Sequence, residues 1–355
     1  MRRRLATIYA MLCTLLLAVG FLSVFYFAFK EGTTATVNAL LGFILGFILA
    51  PCLHELGHVS LGALAKMDCV YVKCFCFKIY VKNGKKRFGF ASPFYADETQ
   101  VIPRKSGNML KRASVYTLGG LLYSGIFLVL IVVGVILSVS FGQPSYILLG
   151  LLPYAGYLFL LNVAPFEYAS GKTDMLVFVG LKTNQPAEKT MLSAMEIQGC
   201  LYEGKSFTEI DESLYFNVPQ LCEDEPLFAV MQDLRYRYYI EKGDLDKAGD
   251  SLNRLAQAQA YLSDIELQKT AAELTYMHAL LGDFEGAEES GKLCREYLAL
   301  EYAAAKRVLA AYSSAFGKTD AVAPLKTQAE ELLVKERILG LKKFEKILLE
   351  RIKAE

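Results

Sequence analysis

Four uninterrupted apolar runs, at about 7–29, 36–65, 114–140 and 145–166, restrict this chain more than anything else in it. A helix needs about 20 apolar residues to cross a hydrocarbon layer roughly 30 Å thick, and each run supplies them. All four lie in the first half of the chain, whereas residues beyond about 187 are rich in Glu, Lys, Arg and Ala. The two halves therefore suit different solvents. The predicted fold class is a polytopic membrane helical bundle of about four transmembrane helices, followed by an all-α domain in water. Predicted boundaries are 1–186 for the membrane part, 187–226 for a linker in which Pro219 and Pro226 stand, and 227–355 for the helical domain.

Charge sets the expected topology. Arg2, Arg3 and Arg4 open the chain, and the segment between the second and third runs carries a dense basic set that includes Lys78, Lys85, Lys86, Arg87, Arg104 and Lys111. Basic loops stay on the cytoplasmic side, which puts both termini in the cytoplasm of a multi-pass protein, expected in a bacterial plasma membrane. The first run is too long for a signal-peptide core and no small-x-small cleavage site ends it, so it reads as a retained anchor. A net charge of +1 leaves no cationic surface for nucleic acid. The eight cysteines then fall mostly in reducing surroundings, and no structural disulfide is expected.

Inside the second run stands His54-Glu55-Leu56-Gly57-His58. Imidazoles four residues apart share one helical face, one turn from each other, and can bind a single Zn²⁺, while Glu55 beside them can take a proton from water. Only three histidines occur in the chain, and two are here. Charged and polar groups inside an apolar span are costly, and persist where they face a protein interior or a wet cavity and serve a function there. At 1.5 Å per residue from position 36, His54 lies about 27 Å along the helix, near the inner edge of the lipid.

Zinc needs a third protein ligand, with a fourth position left for water. His278 belongs to the polar half and reads as a surface or core residue. The end of the fourth run, Asn162-Val-Ala-Pro165-Phe-Glu167 through Lys172-Thr-Asp174, offers carboxylates at the same inner level. An HELGH motif in a transmembrane helix, followed by Asn-x-x-Pro and then Asp, resembles the site-2 protease family of intramembrane zinc metalloproteases. The resemblance covers about residues 36–181 and includes Gly119-Gly120, similar to that family's glycine-rich core helix. It implies His54, His58 and Asp174 as metal ligands, Glu55 as catalytic base and Asn162 as an accessory catalytic group holding substrate or the oxyanion. It also implies a transmembrane protein as substrate. Met175 stands where that family has Gly, and the spacing from Pro165 to Asp174 is long for it, which leaves Glu167 as the alternative carboxylate.

After the second run, Val70–Val81 is β-branched and aromatic, and Asn83-Gly84 precedes Arg87-Phe-Gly-Phe90. That pattern predicts a small β-hairpin. It reads either as a sheet edge that pairs with an unwound substrate strand or as an amphipathic surface element with Lys73, Lys78 and Lys82 toward anionic headgroups. Farther on, Gly243-Asp244 and Gly282-Asp283 sit in similar surroundings, and Tyr312 through Gly317 begins a third unit. Their spacing is near the 34 residues of tetratricopeptide repeats, although Trp is absent. A tetratricopeptide-like array would give the second half a surface for a protein regulator; a plain helical bundle is the other reading. The reading from a different class is an inactive membrane scaffold in which zinc is a structural staple, and a metal-dependent permease has little room in four spans.

Overall fold

A computed structural model describes residues 2–353 apart from 83–84, 94–95, 169–170, 224 and 259–261. The chain divides into two compact units: residues 1–102 with 108–188, and residues 103–107 with 189–355.

The first unit is built on four helices, α1 (Arg2–Glu31), α2 (Thr33–Leu64), α3 (Met109–Ser140) and α4 (Tyr146–Val163). All four are long and apolar enough to cross a membrane. Their outward residues, such as Leu15, Phe29, Leu130 and Ile136, are large, apolar and exposed, a surface that suits lipid rather than water. Because lipid tails are as apolar as leucine, close helix contact has to come from small residues and polar bonds. Gly42 and Gly46 supply the first kind, being four residues apart in the small-xxx-small spacing that lets a neighbouring helix approach: a Cβ on Gly42 would overlap the Ile147 carbonyl of α4, and one on Gly46 would come within 3.2 Å of the Leu151 carbonyl. Gly57 of α2 and Gly119 of α3 face each other in the same way, each leaving no room for a Cβ on the other. Tyr9 of α1 donates to the Leu160 carbonyl of α4 at 2.9 Å.

Between α2 and α3 lies a sheet of four strands, larger than the expected hairpin: β1 (Met67–Cys74), β2 (Phe77–Lys82), β3 (Lys85–Phe90) and β4 (Glu98–Pro103), in spatial order β3-β2-β1-β4. The hairpin of β2 and β3 is present, with Phe77 opposite Phe90 and Lys82 opposite Lys85; its Asn83-Gly84 turn lies outside the described residues. The run that reads as one strand from Val70 is broken by a second turn at Phe75, whose φ is 52°, so that Cys74 pairs with Phe77. Tertiary contacts explain the break. The Phe75 N–H donates to Asp97 Oδ1 at 2.8 Å, and its ring meets Phe47 of α2 edge-on at 5.7 Å. Lys73 is also drawn inward: it is 2% exposed and pairs with Asp97 at 2.9 Å, so it does not face headgroups.

From α4 the chain makes a two-stranded ribbon, β5 (Glu167–Tyr168) with β6 (Gly171–Lys172), and enters α5 (Asp174–Lys182).

The second unit is helical. The expected linker over 187–226 is a correction: α6 (Pro186–Tyr202), a 3₁₀ turn at Phe207–Glu209 and α7 (Ser213–Phe216) occupy it, and Ile197, Phe207 and Tyr215 are fully buried in the unit's core. Of the two prolines that read as punctuation here, Pro226 begins α8 rather than freeing the chain. Then follow α8 (Pro226–Lys242), α9 (Leu245–Gln257), α10 (Asp264–Leu281), α11 (Phe284–Leu293), the single turn α12 (Arg295–Leu298), α13 (Ala303–Ala315), α14 (Thr319–Leu333) and α15 (Leu339–Glu350). At the α8–α9 and α10–α11 joints, Gly243 and Gly282 take φ of 87° and 72°, and Asp244 and Asp283 cap the next helix through side-chain bonds to Lys247 N and Gly286 N. Gly stops the helix in the left-handed conformation and Asp starts its successor.

Candidate metal centre

Two features of α2 fix the histidines. Their four-residue spacing stacks His54 and His58 on one face, and Gly57 beside them lets α3 approach so closely that both rings are buried, at 7% and 6% exposure. Polar groups of α3 then orient the rings. His58 Nδ1 lies 3.0 Å from the Tyr116 carbonyl, and His54 Nδ1 lies 3.0 Å from Ser124 Oγ. A carbonyl only accepts, so His58 carries its proton on Nδ1 and presents the Nε2 lone pair; the Ser124 hydroxyl can set the same tautomer in His54.

The third group arrives from beyond α4. Thr173 caps α5, accepting from Leu176 N at 3.2 Å and donating to the Ala164 carbonyl at 2.7 Å, while its N–H donates to the Phe166 carbonyl at 3.1 Å. The β5–β6 ribbon thus takes up the long spacing after Pro165 and returns the chain to the foot of α4. Asp174, first residue of α5, is held where the helix dipole favours an anion.

His54 Nε2, His58 Nε2 and Asp174 Oδ2 form a triangle with edges of 3.3, 3.2 and 3.3 Å. Ligands about 2.0–2.1 Å from a tetrahedral zinc stand about 3.3–3.4 Å apart, so one ion fits this triangle. Two further observations point the same way. Asp174 Oδ2 is buried with no hydrogen-bond partner among the described residues, a costly state that a cation relieves. Gly120 of α3 closes the other side: a Cβ there would stand 2.5 Å from His58 Nε2 and 2.6 Å from His54 Nε2, in space a metal needs. Imidazole and carboxylate are donors suited to zinc. Glu55 is 5% exposed and accepts from Thr99 Oγ1 of β4 at 2.5 Å.

Among the described residues, these are the three His, Cys, Asp or Glu side chains that could share an ion. Glu167, the alternative carboxylate, is exposed on β5 opposite Lys172 and is not one of them. Among the described residues no hydrogen bond joins Asn162 to the cluster; its amide donates to the Leu158 carbonyl of its own helix at 3.2 Å. His278 pairs with Asp283 at 2.7 Å in the second unit. Sequence reasoning missed Tyr116, Ser124 and Thr99. Ser124 carried a signal, a hydroxyl within an apolar span; Tyr116 meets His58 through its backbone carbonyl and Thr99 lies on an unexpected strand, so neither did. The chain matches no protein family, no curated protein and no solved structure with which it was compared.

Proposed function

We propose that this chain is a zinc-dependent intramembrane protease of the site-2 type, cutting a transmembrane protein near the cytoplasmic side of the bilayer. The convergence of His54, His58 and Asp174 from two distant parts of the chain onto one ion-sized triangle carries the reading.

Bound there, zinc would supply a Lewis acid for the scissile carbonyl and lower the pKa of a water in its open position. Glu55 takes the proton from the attacking water and returns it to the leaving amine nitrogen. Tyr116 and Ser124 keep both imidazoles in the ligating tautomer. Burial of His54, Glu55, His58 and Ser124 keeps competing water scarce. A helical substrate hides its peptide groups in hydrogen bonds and has to unwind before attack, and the sheet that leads from α2 to α3 offers strand edges for the unwound segment. The second unit, read as a tetratricopeptide-like array with a cytoplasmic face, would bind a protein regulator or part of the substrate.

Glu55 separates this from the scaffold reading, since a structural zinc has no use for a buried carboxylate that is not among its ligands. The test is cleavage of single-span reporter proteins by the purified chain. Wild type cuts, whereas Glu55→Gln binds zinc and does not; Glu55→Gln that cuts at the wild-type rate would leave the scaffold reading.

A further inference from the structure

Glu55 is not held by its own helix. Its Oε2 accepts from the Thr99 hydroxyl at 2.5 Å, and Thr99 belongs to β4, forty-four residues away. The same residue is fixed a second time, because its carbonyl accepts from the Tyr116 hydroxyl at 2.5 Å. Tyr116 in turn gives its own carbonyl to His58 Nδ1. The bonds make a circuit, Glu55 to Thr99 to Tyr116 to His58, closed by the helical turn between 55 and 58. Thr99 and Tyr116 therefore tie the carboxylate and an imidazole ligand to one frame. A glutamate side chain on an isolated helix samples several rotamers, while catalytic groups need placement to within about 0.5 Å.

We infer that Thr99 is a positioning residue for Glu55: its hydroxyl holds Oε2 and turns Oε1 toward the attacking water. The inference rests on the protease reading and adds to it that the sheet is a working part of the site. It assigns no ligand to Thr99, whose substitution leaves the metal triangle in place.

The experiment uses the full-length chain in lipid nanodiscs, with reporters made of one transmembrane segment between two fluorescent proteins. Thr99→Val keeps the shape and removes the hydroxyl; Thr99→Ser and Thr99→Ala both lose the methyl and differ only in the hydroxyl. General bases contribute about 10²–10⁴-fold, so misplacing one lowers kcat by about tenfold to a hundredfold. That loss is expected in Thr99→Val and Thr99→Ala, with KM within about twofold and one zinc retained, and Thr99→Ser restores most of the rate. A packing defect would not follow the hydroxyl in this way. A second readout needs no substrate. The infrared difference between each chain and its Glu55→Gln counterpart isolates the Glu55 carboxylate bands, which shift in Thr99→Val and stay in Thr99→Ser. Equal kcat in Thr99→Val and Thr99→Ser with unmoved bands overturns the inference. If Glu55→Gln is inactive while Thr99→Val is fully active, this inference alone falls; if wild type cuts no reporter or Glu55→Gln cuts as fast, the protease reading falls and takes it along.

Discussion

Gly120 and Ser124 stand one helical turn apart on α3, and each governs one side of the ion's place. Gly120→Ala puts a methyl group 2.5 Å from His58 Nε2, between both rings. Something has to move, and the two ligands are what it meets. Zinc content of the purified variant is expected to fall well below one per chain, with the helical circular-dichroism signal retained. Ser124→Ala is gentler: it leaves His54 without its partner at 3.0 Å and should weaken zinc affinity by about 10–100-fold, read by competition with a chromophoric chelator. At this scale much was legible in the sequence and some was not. His54, Glu55 and His58 announce themselves because helical periodicity alone brings i and i+4 together. Asp174 does not, since nothing local tells where a residue 116 positions after His58 will come to rest; only the resemblance pointed to it. Thr99 is a common residue in an unremarked segment, and its role exists only once β4 is laid beside α2.

Elements follow the same division between local and tertiary causes. Long apolar runs become α1 to α4 because a helix satisfies its backbone groups within one segment, as a chain suited to lipid requires. Glycines at helix contacts were readable from spacing in Gly42 and Gly46, and their substitution has a predictable cost. Gly57→Ala drives a methyl group into the Gly119 carbonyl, and overpacking of this kind costs about 1–3 kcal/mol, measurable as a lower unfolding midpoint on titration with denaturing detergent. The turn at Phe75 was not readable, because bulky residues avoid positive φ and Asp97 and Phe47 impose it from outside the strand. Nor was the burial of Phe207 and Tyr215: a polar, proline-marked stretch hides two anchors that only the packed helices reveal.

The second unit holds a charged group at its centre. Arg307, fully buried, bonds to Glu273 and Glu345 at 2.7 Å each and stacks on Tyr276. Breaking such a network from one side costs about 3–5 kcal/mol, so Arg307→Met should destabilise this unit while Leu281→Ala, at an exposed position, does not. Hydrogen exchange over 226–353 in the full chain reads both. Burial alone would raise the Glu273 carboxyl, but Arg307 and Arg237 beside it win and hold it below the usual range. Its stabilising contribution is therefore complete above the unfolded value of about 4.3 and is lost as pH falls from there through the lower folded value. Exchange protection over 226–353 should drop on acidification below about pH 4, and the drop should be smaller in Glu273→Gln.

For the whole molecule everything turns on whether His54, His58 and Asp174 hold one ion together. The direct measurement is zinc stoichiometry of the purified full-length chain by elemental analysis. One zinc per wild-type chain is predicted, with loss in His58→Ala and Asp174→Ala and full occupancy in Glu55→Gln and Glu167→Ala. A wild-type chain that copurifies with no transition metal and takes up none, or Asp174→Ala that binds zinc as tightly as wild type, would contradict the account.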